Sequence, residues 1–519
     1  MVQFIERRFR TALLYAGVLV LAGCSAAPAS SVGPSKPVEP TSTPPVESVQ
    51  PVEQPSPAGA DVPAPTAPSA PETTAAPPLP AAGDEWILFV LSAGYSTWDE
   101  LWAVYPDGSG LTSLSGQGYV GPRDDLLAAL QPGGTRLAMI TQKPGDAPWE
   151  DLALRVVDLA TGRQEAAIAL TSPETAPRPN EDDFMRLDAV RSIAEIDSLT
   201  WSPDGSLLAF LGAQQGTSSD LYTYDPLSGT VNRLTDGPTE GLRPAWSPDG
   251  AYILHSGVTT LGTGAGLGMD RVWAARADGS GVIEMYEALQ SGDENWLGWA
   301  DARTPIIVSW DAGCGYKDIR TQNIETGEGR FLWTEYASDA AFSPELGLLL
   351  VSVDEWVSDC NDTYKQGLYL VDVRGGAPRL VSEAPAYLTN WEPAFSRFVA
   401  GVGDGGRMLV APDGSTTVLE GPGFAFTWFS PDGATIAWTV GAGPGDSTPG
   451  AWIGTVGGAI FQITDMLVTR AVWSPDGSRL ALFAEDGVYA AAAPDFNPIR
   501  IVDGEAYGLQ AHSAVWIAR

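Results

Sequence analysis

Trp473-Ser-Pro-Asp-Gly-Ser-Arg-Leu-Ala-Leu-Phe483 decides the fold, because the chain keeps repeating it. Trp201-Ser-Pro-Asp-Gly-Ser-Leu-Leu-Ala-Phe210, Trp246-Ser-Pro-Asp-Gly-Ala-Tyr-Ile-Leu254 and Phe429-Ser-Pro-Asp-Gly-Ala-Thr-Ile-Ala437 are near-copies. Each reads as a strand, a tight turn and a second strand. Proline presets φ at the second turn position, Asp bonds nearby backbone, and Gly supplies the free φ that closes the turn. The alternation that follows, Leu480 and Leu482 against Arg479 and Ala481, has strand periodicity. Repetition at about 45 residues predicts an all-β chain folded as a single closed β-propeller, one four-stranded blade per repeat.

With the strands of a blade labelled A to D, the quoted stretch is the end of A and the A–B turn. Weaker A–B junctions fall at Leu130-Gln-Pro-Gly-Gly134, Trp299-Ala-Asp301, Phe342-Ser-Pro-Glu345 and Trp391-Glu-Pro393. C–D turns recur at Tyr105-Pro-Asp-Gly108, Ala277-Asp-Gly279 and Pro412-Asp-Gly414, and more loosely at Asp158–Gly162 and Asp225–Gly229. Trp86-Ile-Leu-Phe-Val90 opens at strand B with no A before it. Ser513-Ala-Val-Trp516 is an A with no B after it. Joined, the two make one blade from both termini and close the ring without exposed edges. The count over 84–519 is then nine, or eight if one weak repeat is not a blade.

These residues resemble the TolB-like propeller repeats of bacterial envelope proteins. The resemblance implies the fold strongly and the function weakly, since the repeated residues are those that build the turn. Similar propellers also precede the catalytic domain of prolyl-oligopeptidase-like peptidases. The chain is expected to lack such a domain, and also the small α/β domain that precedes the TolB propeller.

Ahead of the repeats, Arg7, Arg8 and Arg10 form a basic segment, and Thr11–Ala22 is apolar but short for a membrane span. It runs into Leu21-Ala22-Gly23-Cys24, which resembles the bacterial lipobox, where the cysteine sulfur takes a diacylglyceryl group after export. Residues 1–23 are therefore expected to be a lipoprotein signal peptide, with Cys24 as the acyl anchor to a membrane. Ser25–Gly83 is proline-rich and has no aromatic residue, so 24–83 is expected to be a disordered tether. Fully extended it would reach on the order of 180 Å.

The formal net charge is −35, and removing residues 1–23 makes it more negative. Phosphate backbones repel such a surface, which argues against a nucleic-acid partner. There are only two histidines, His255 and His512. Neither sits in a nucleophile elbow, a His-Glu-x-x-His helix or a metal-spaced pattern, and no EF-hand pattern occurs. No catalytic residue, metal or cofactor is therefore assigned.

Alternating strands put the A–B and C–D turns on one face and the B–C and D–A loops on the other. The turn face is uniform; the loop face carries the variable segments where binding concentrates. There, 353–366 offers Asp354, Glu355, Trp356, Asp359 and Asp362, and 171–198 carries helical spacing at Phe184, Leu187, Val190 and Ile193. That insertion reads as a helix, either packed on the core or lying over the channel. Trp98 and Trp149, each followed by an acidic pair, suit binding or repeat packing. Cys314-Gly-Tyr316-Lys and Cys360-Asn-Asp-Thr-Tyr-Lys365 occupy equivalent B–C loops of consecutive repeats. Such loops stand side by side, so a Cys314–Cys360 disulfide is expected, with Tyr316 beside it.

The sequence thus predicts a monomeric, lipid-anchored extracytoplasmic propeller, periplasmic or at the cell surface, that binds an envelope protein, a peptide or a glycan on its loop face. Two alternatives stay open: an enzyme on polysaccharide or peptide using a pair of channel carboxylates, and a purely structural envelope component.

Overall fold

The computed structural model describes residues 85–518 except 92–98, 117, 123–125, 144–150, 173–183, 195–197, 217, 238, 261–267, 286–292, 312–313, 385, 403–405, 420–425, 441–449, 456–457 and 505–510. The signal segment, Cys24 and the tether lie outside the described residues.

The strands form nine four-stranded antiparallel sheets, each in sequence order from an inner to an outer strand. The first sheet is the exception in connectivity. Its strands Glu85–Leu91, Glu100–Val104 and Thr112–Ser113 are completed by Ala511–Ala518 from the other end of the chain. The register runs Glu85↔Ala518 to Phe89↔Ala514, with a bulge before Leu91↔Ala511. The ring is a nine-bladed propeller, closed by pairing between its two ends.

The Ser-Pro-Asp-Gly turns show why the motif repeats. In all four, the buried Ser Oγ lies 2.6–2.7 Å from the Asp Oδ1, which also accepts the N–H two residues on. The same Ser Oγ accepts the N–H five residues on at 2.9–3.0 Å, fixing the start of strand B. Donation from Ser474, then from Ser478, lowers the Asp476 pKa to about 2. These carboxylates cap turns. Gly433 has φ +68, and a Cβ there would lie 2.1 Å from the Ala394 carbonyl oxygen of the preceding blade, so only glycine fits.

The tryptophan opening the motif joins blades. The indole N–H of Trp201 donates to Ala129 O at 2.9 Å, that of Trp246 to Thr200 O at 3.0 Å, and that of Trp473 to Trp428 O at 3.1 Å. Each acceptor belongs to the inner segment of the preceding blade. In the second blade that segment departs from a plain strand: Tyr119–Gly121 pairs, a short helix, α1 (Leu126–Ala129), supplies the carbonyl that Trp201 needs, and pairing resumes as a single bridge at Leu130.

The core lies between blades. One cluster joins Leu154 and Val156 of the second blade to Phe210 and Tyr222 of the third and Ile253 of the fourth. Into it pack Ala189, Val190 and Ile193 of α2 (Phe184–Ala194), the helix between the second and third blades. Among the described residues no helix is long and apolar enough to cross a membrane.

Candidate functional site

The loop joining Leu348–Val353 to Gly367–Asp372 in the sixth blade is a heavily braced segment of the loop face. Its first residue, Asp354, caps the four-residue helix α3 (Glu355–Ser358): its Oδ1 accepts the Val357 N–H at 2.8 Å. Asp354 is thereby occupied with the backbone. Val357 turns inward to a cluster containing Val353, Trp333 and Tyr369.

The other end is tied to the fifth blade. Cys360 is disulfide-bonded to Cys314, with Cα atoms 6.4 Å apart, as the equivalence of the two loops predicts. The buried Asn361 side chain accepts the Tyr336 N–H and donates to the Tyr336 carbonyl, both at 2.8 Å. The Glu335 carboxylate accepts the N–H groups of Thr363 and Tyr364 at 3.1 Å. Tyr364 stacks on Trp333 with centroids 4.1 Å apart. Lys365 Nζ donates to Asn361 O at 2.7 Å, and Tyr369 Oη to Lys365 O at 2.7 Å. Across the disulfide, Tyr316 and Ala337 exchange backbone hydrogen bonds at 2.8 and 2.7 Å, and Lys317 Nζ lies 5.1 Å from the Tyr336 ring centre.

On this braced loop Trp356 is 61% exposed. Glu355, Asp359 and Asp362 are exposed with it, whereas Asp354 and Tyr316 are half-buried. The neighbouring ammonium groups, Lys317 and Lys365, already have partners within the braces. What the loop offers is an indole face and three carboxylates, on a backbone that needs no ordering to bind. Sequence reasoning missed Asn361, Glu335 and Trp333; the shared Tyr-Lys after each cysteine was the signal that these loops are built alike.

Trp98 and Trp149 lie outside the described residues, as does the His512 side chain. His255 is buried in the fourth blade, and burial pushes its pKa down to about 4, leaving it neutral. Two glutamates go the other way: burial raises both Glu240 and Glu392 to about 7. Glu240 begins the inner strand of the fourth blade, at the loop face, whereas Glu392 ends that of the seventh, at the turn face. They lie at opposite ends of their strands and do not converge. Among the described residues no group of three or more His, Cys, Asp or Glu could hold a metal ion.

No family model matches this chain. It is 29% identical over 154 residues to the uncharacterized peptidase YuxL of Bacillus subtilis, a match covering 30% of this chain and 21% of that protein. It is 28% identical over 141 residues to the Tol-Pal system protein TolB of Nitratidesulfovibrio vulgaris, covering 27% of this chain and 31% of that protein. The matches thus span less than a third of these relatives' own lengths. Among solved structures, one described as the eukaryotic initiation factor superposes with a TM-score of 0.51 at 12% identity, over 84% of this chain and 98% of that one. That likeness concerns the fold alone.

Ring, blade order and turn motif together define a closed β-propeller. With the TolB match, the chain is a TolB-like β-propeller.

Proposed function

We propose that this chain is a lipid-anchored, extracytoplasmic binding module whose loop face recognises a protein or peptide partner through Trp356. One observation carries the reading: a large aromatic side chain stays exposed on a loop that a disulfide, two side-chain pairs and stacked rings hold still. Rigid, exposed aromatics are the anchors around which interfaces form. Glu355, Asp359 and Asp362 beside the indole, in a chain of net charge −35, favour a partner that lays an arginine or lysine over the ring. A neutral glycan would use the ring without needing the carboxylates. The lipobox-like Cys24 and the disulfide support an envelope location. The enzymatic alternative needs carboxylates converging on an open channel; Glu240 and Glu392 lie at opposite ends of their strands, and the carboxyls near Glu240, Asp188 and Asp220, are buried with it.

The test is capture of envelope proteins and glycans by the mature full-length chain and by its Trp356→Ala variant. A specific partner should be lost at least tenfold in the variant. Neutralising Glu355, Asp359 and Asp362 to amides should weaken a basic partner, whereas the same change at Glu328, Asp465 and Asp495 should not. Equal capture by wild type and Trp356→Ala would overturn the assignment, and a glycan held regardless of the amide changes would replace the basic partner.

A further inference from the structure

Helix α2 rests on a group that sequence reasoning passed over. The helix packs against the inner strand of the fourth blade, Glu240–Trp246, and the second strand of the third, Leu208–Gly212. Its apolar side fills the core, but its polar side meets a buried carboxylate. The hydroxyls of Ser192 and Ser219 are 2.5 Å apart, Ser192 also donating to Ala189 O at 2.7 Å. The Ser219 N–H donates to Glu240 Oε2 at 2.5 Å. Glu240 is 2% exposed, and two further buried carboxyl groups interact with it, Asp188 from the helix and Asp220 from the third blade.

The nearby cations are committed elsewhere. Arg233 donates to Asp220 at 2.6 Å and to Asp236 at 2.8 Å, and Arg191 lies 4.0 Å from Asp188. Among the described residues no cation bonds Glu240. The other titratable residues of the packed strands are Arg243 on its own strand, Tyr252 and His255 on the next, and Tyr222, Tyr224 and Asp225 on the third strand of blade three. His255 is neutral. Leu199–Trp201 and Leu208–Gly212 carry no titratable residue. Glu195 and Asp197 lie outside the described residues.

We propose that α2 is a proton-controlled strap on the loop face: it is seated while Glu240 carries a proton, and loosens when Glu240 ionises beside Asp188 and Asp220. A protonated Glu240 is neutral, so no third negative charge is buried beside the two aspartates. Its ionised form puts a third carboxylate beside Asp188 and Asp220, where among the described residues Arg233 and Arg191 pair with the aspartates and no cation bonds Glu240 itself. Loosening would uncover the loop-face ends of the third and fourth blades, on the face that bears Trp356.

The sign and size follow from linkage. Burial raises Glu240 to about 7, with Asp188 and Asp220 adding to it and Ser219 opposing. Lifting the helix returns the group to water, where a glutamate titrates at about 4.3. The seated state therefore holds its proton more tightly, and seating weakens as pH rises from about 4.5 to about 7. The opening equilibrium should change by roughly 100-fold across that window, with about a further twofold by pH 8.

Hydrogen exchange of amides 184–194 in the full-length protein tests this, at pH 5 and pH 8, corrected for the intrinsic rate and referenced to the sheets of the sixth to ninth blades. Helix protection should fall by about two orders of magnitude in wild type and stay level in Glu240→Gln. Equal protection at both pH values in wild type, or an undiminished fall in Glu240→Gln, would overturn the strap. Should Glu240→Gln fail to fold, Asp188→Asn must shrink the fall, because it removes one of the charges that raise Glu240; an unchanged fall there counts equally against it.

Discussion

The Glu85 carboxylate accepts the indole N–H of Trp516 at 2.8 Å, across 431 positions of sequence. Arg479 of the ninth blade donates to the same carboxylate oxygen, and its guanidinium lies 5.1 Å from the centre of the Trp516 ring. Three segments from two blades thus meet where the ring closes. Glu85→Ala should lower stability by about 1–3 kcal/mol, since it strips a charged acceptor from two donors. Removing Ala511–Ala518 should do far more, because it leaves Glu85–Leu91 as an open edge. Chemical unfolding of both variants checks this; wild-type stability after the deletion would mean that the closing strand holds nothing.

The blade-joining role of the indole N–H can be isolated by a pair of substitutions. Trp473 donates to Trp428 O, whereas Trp391, also buried, has no hydrogen-bond partner for its Nε1 among the described residues. Trp473→Phe and Trp391→Phe remove similar volume, but only the first orphans a carbonyl. The first should cost more by about 1 kcal/mol, read from urea midpoints.

The Cys314–Cys360 bond spans 46 positions, so Cys314→Ser with Cys360→Ser should cost roughly 2–4 kcal/mol, mostly by freeing the unfolded chain. The loss should match that of wild type in reductant. Peptide mapping without reduction should recover the linked pair, and free thiols at both positions would refute the link.

Glu392, raised by burial to about 7, predicts a pH effect at the turn face. Below about pH 4.5 the carboxyl is protonated both folded and unfolded. Between there and pH 7 only the unfolded chain ionises, so stability falls as pH rises, by up to on the order of 3 kcal/mol. Glu392→Gln should remove that part of the slope, leaving the variant ahead of wild type at pH 8 relative to pH 4.5. Parallel stability profiles for the two proteins would show that Glu392 ionises freely.

Cys24→Ser should abolish acylation and leave unprocessed precursor, read by intact mass and membrane fractionation. Normal maturation of that variant would end the lipoprotein proposal.

The parts legible in the sequence were those in which neighbours in the chain are neighbours in space, or in which repetition carried the information. The Ser-Pro-Asp-Gly turn is local. Trp86 and Trp516 could be matched because each supplied what the other's repeat lacked, and Cys314 and Cys360 because their loops are copies. Even so, the motif's serine and tryptophan were undervalued: Ser474 anchors the next strand, and Trp473 reaches the blade before its own. Asp354 looked like a ligand, yet in Asp-Glu-Trp-Val it is a helix cap, which the order of residues allowed. Asn361 with Tyr336, and Glu240 with Asp188, come together only through the curvature of the ring and the course of its loops. No periodicity announces them.

The closing pair also fixes how the ring takes a load. Glu85 stands opposite Ala518, at the turn-face end of both strands. Tension on the chain ahead of Glu85 therefore enters at the turn face and runs along Glu85–Leu91, which is hydrogen-bonded on both sides, to Glu100–Val104 and to Ala511–Ala518. Such a pull shears many backbone hydrogen bonds at once instead of peeling them one by one. It also leaves Trp356 on the face turned away from the point of pull, so that a partner held there and a leash at Glu85 would draw on opposite sides of the same disc.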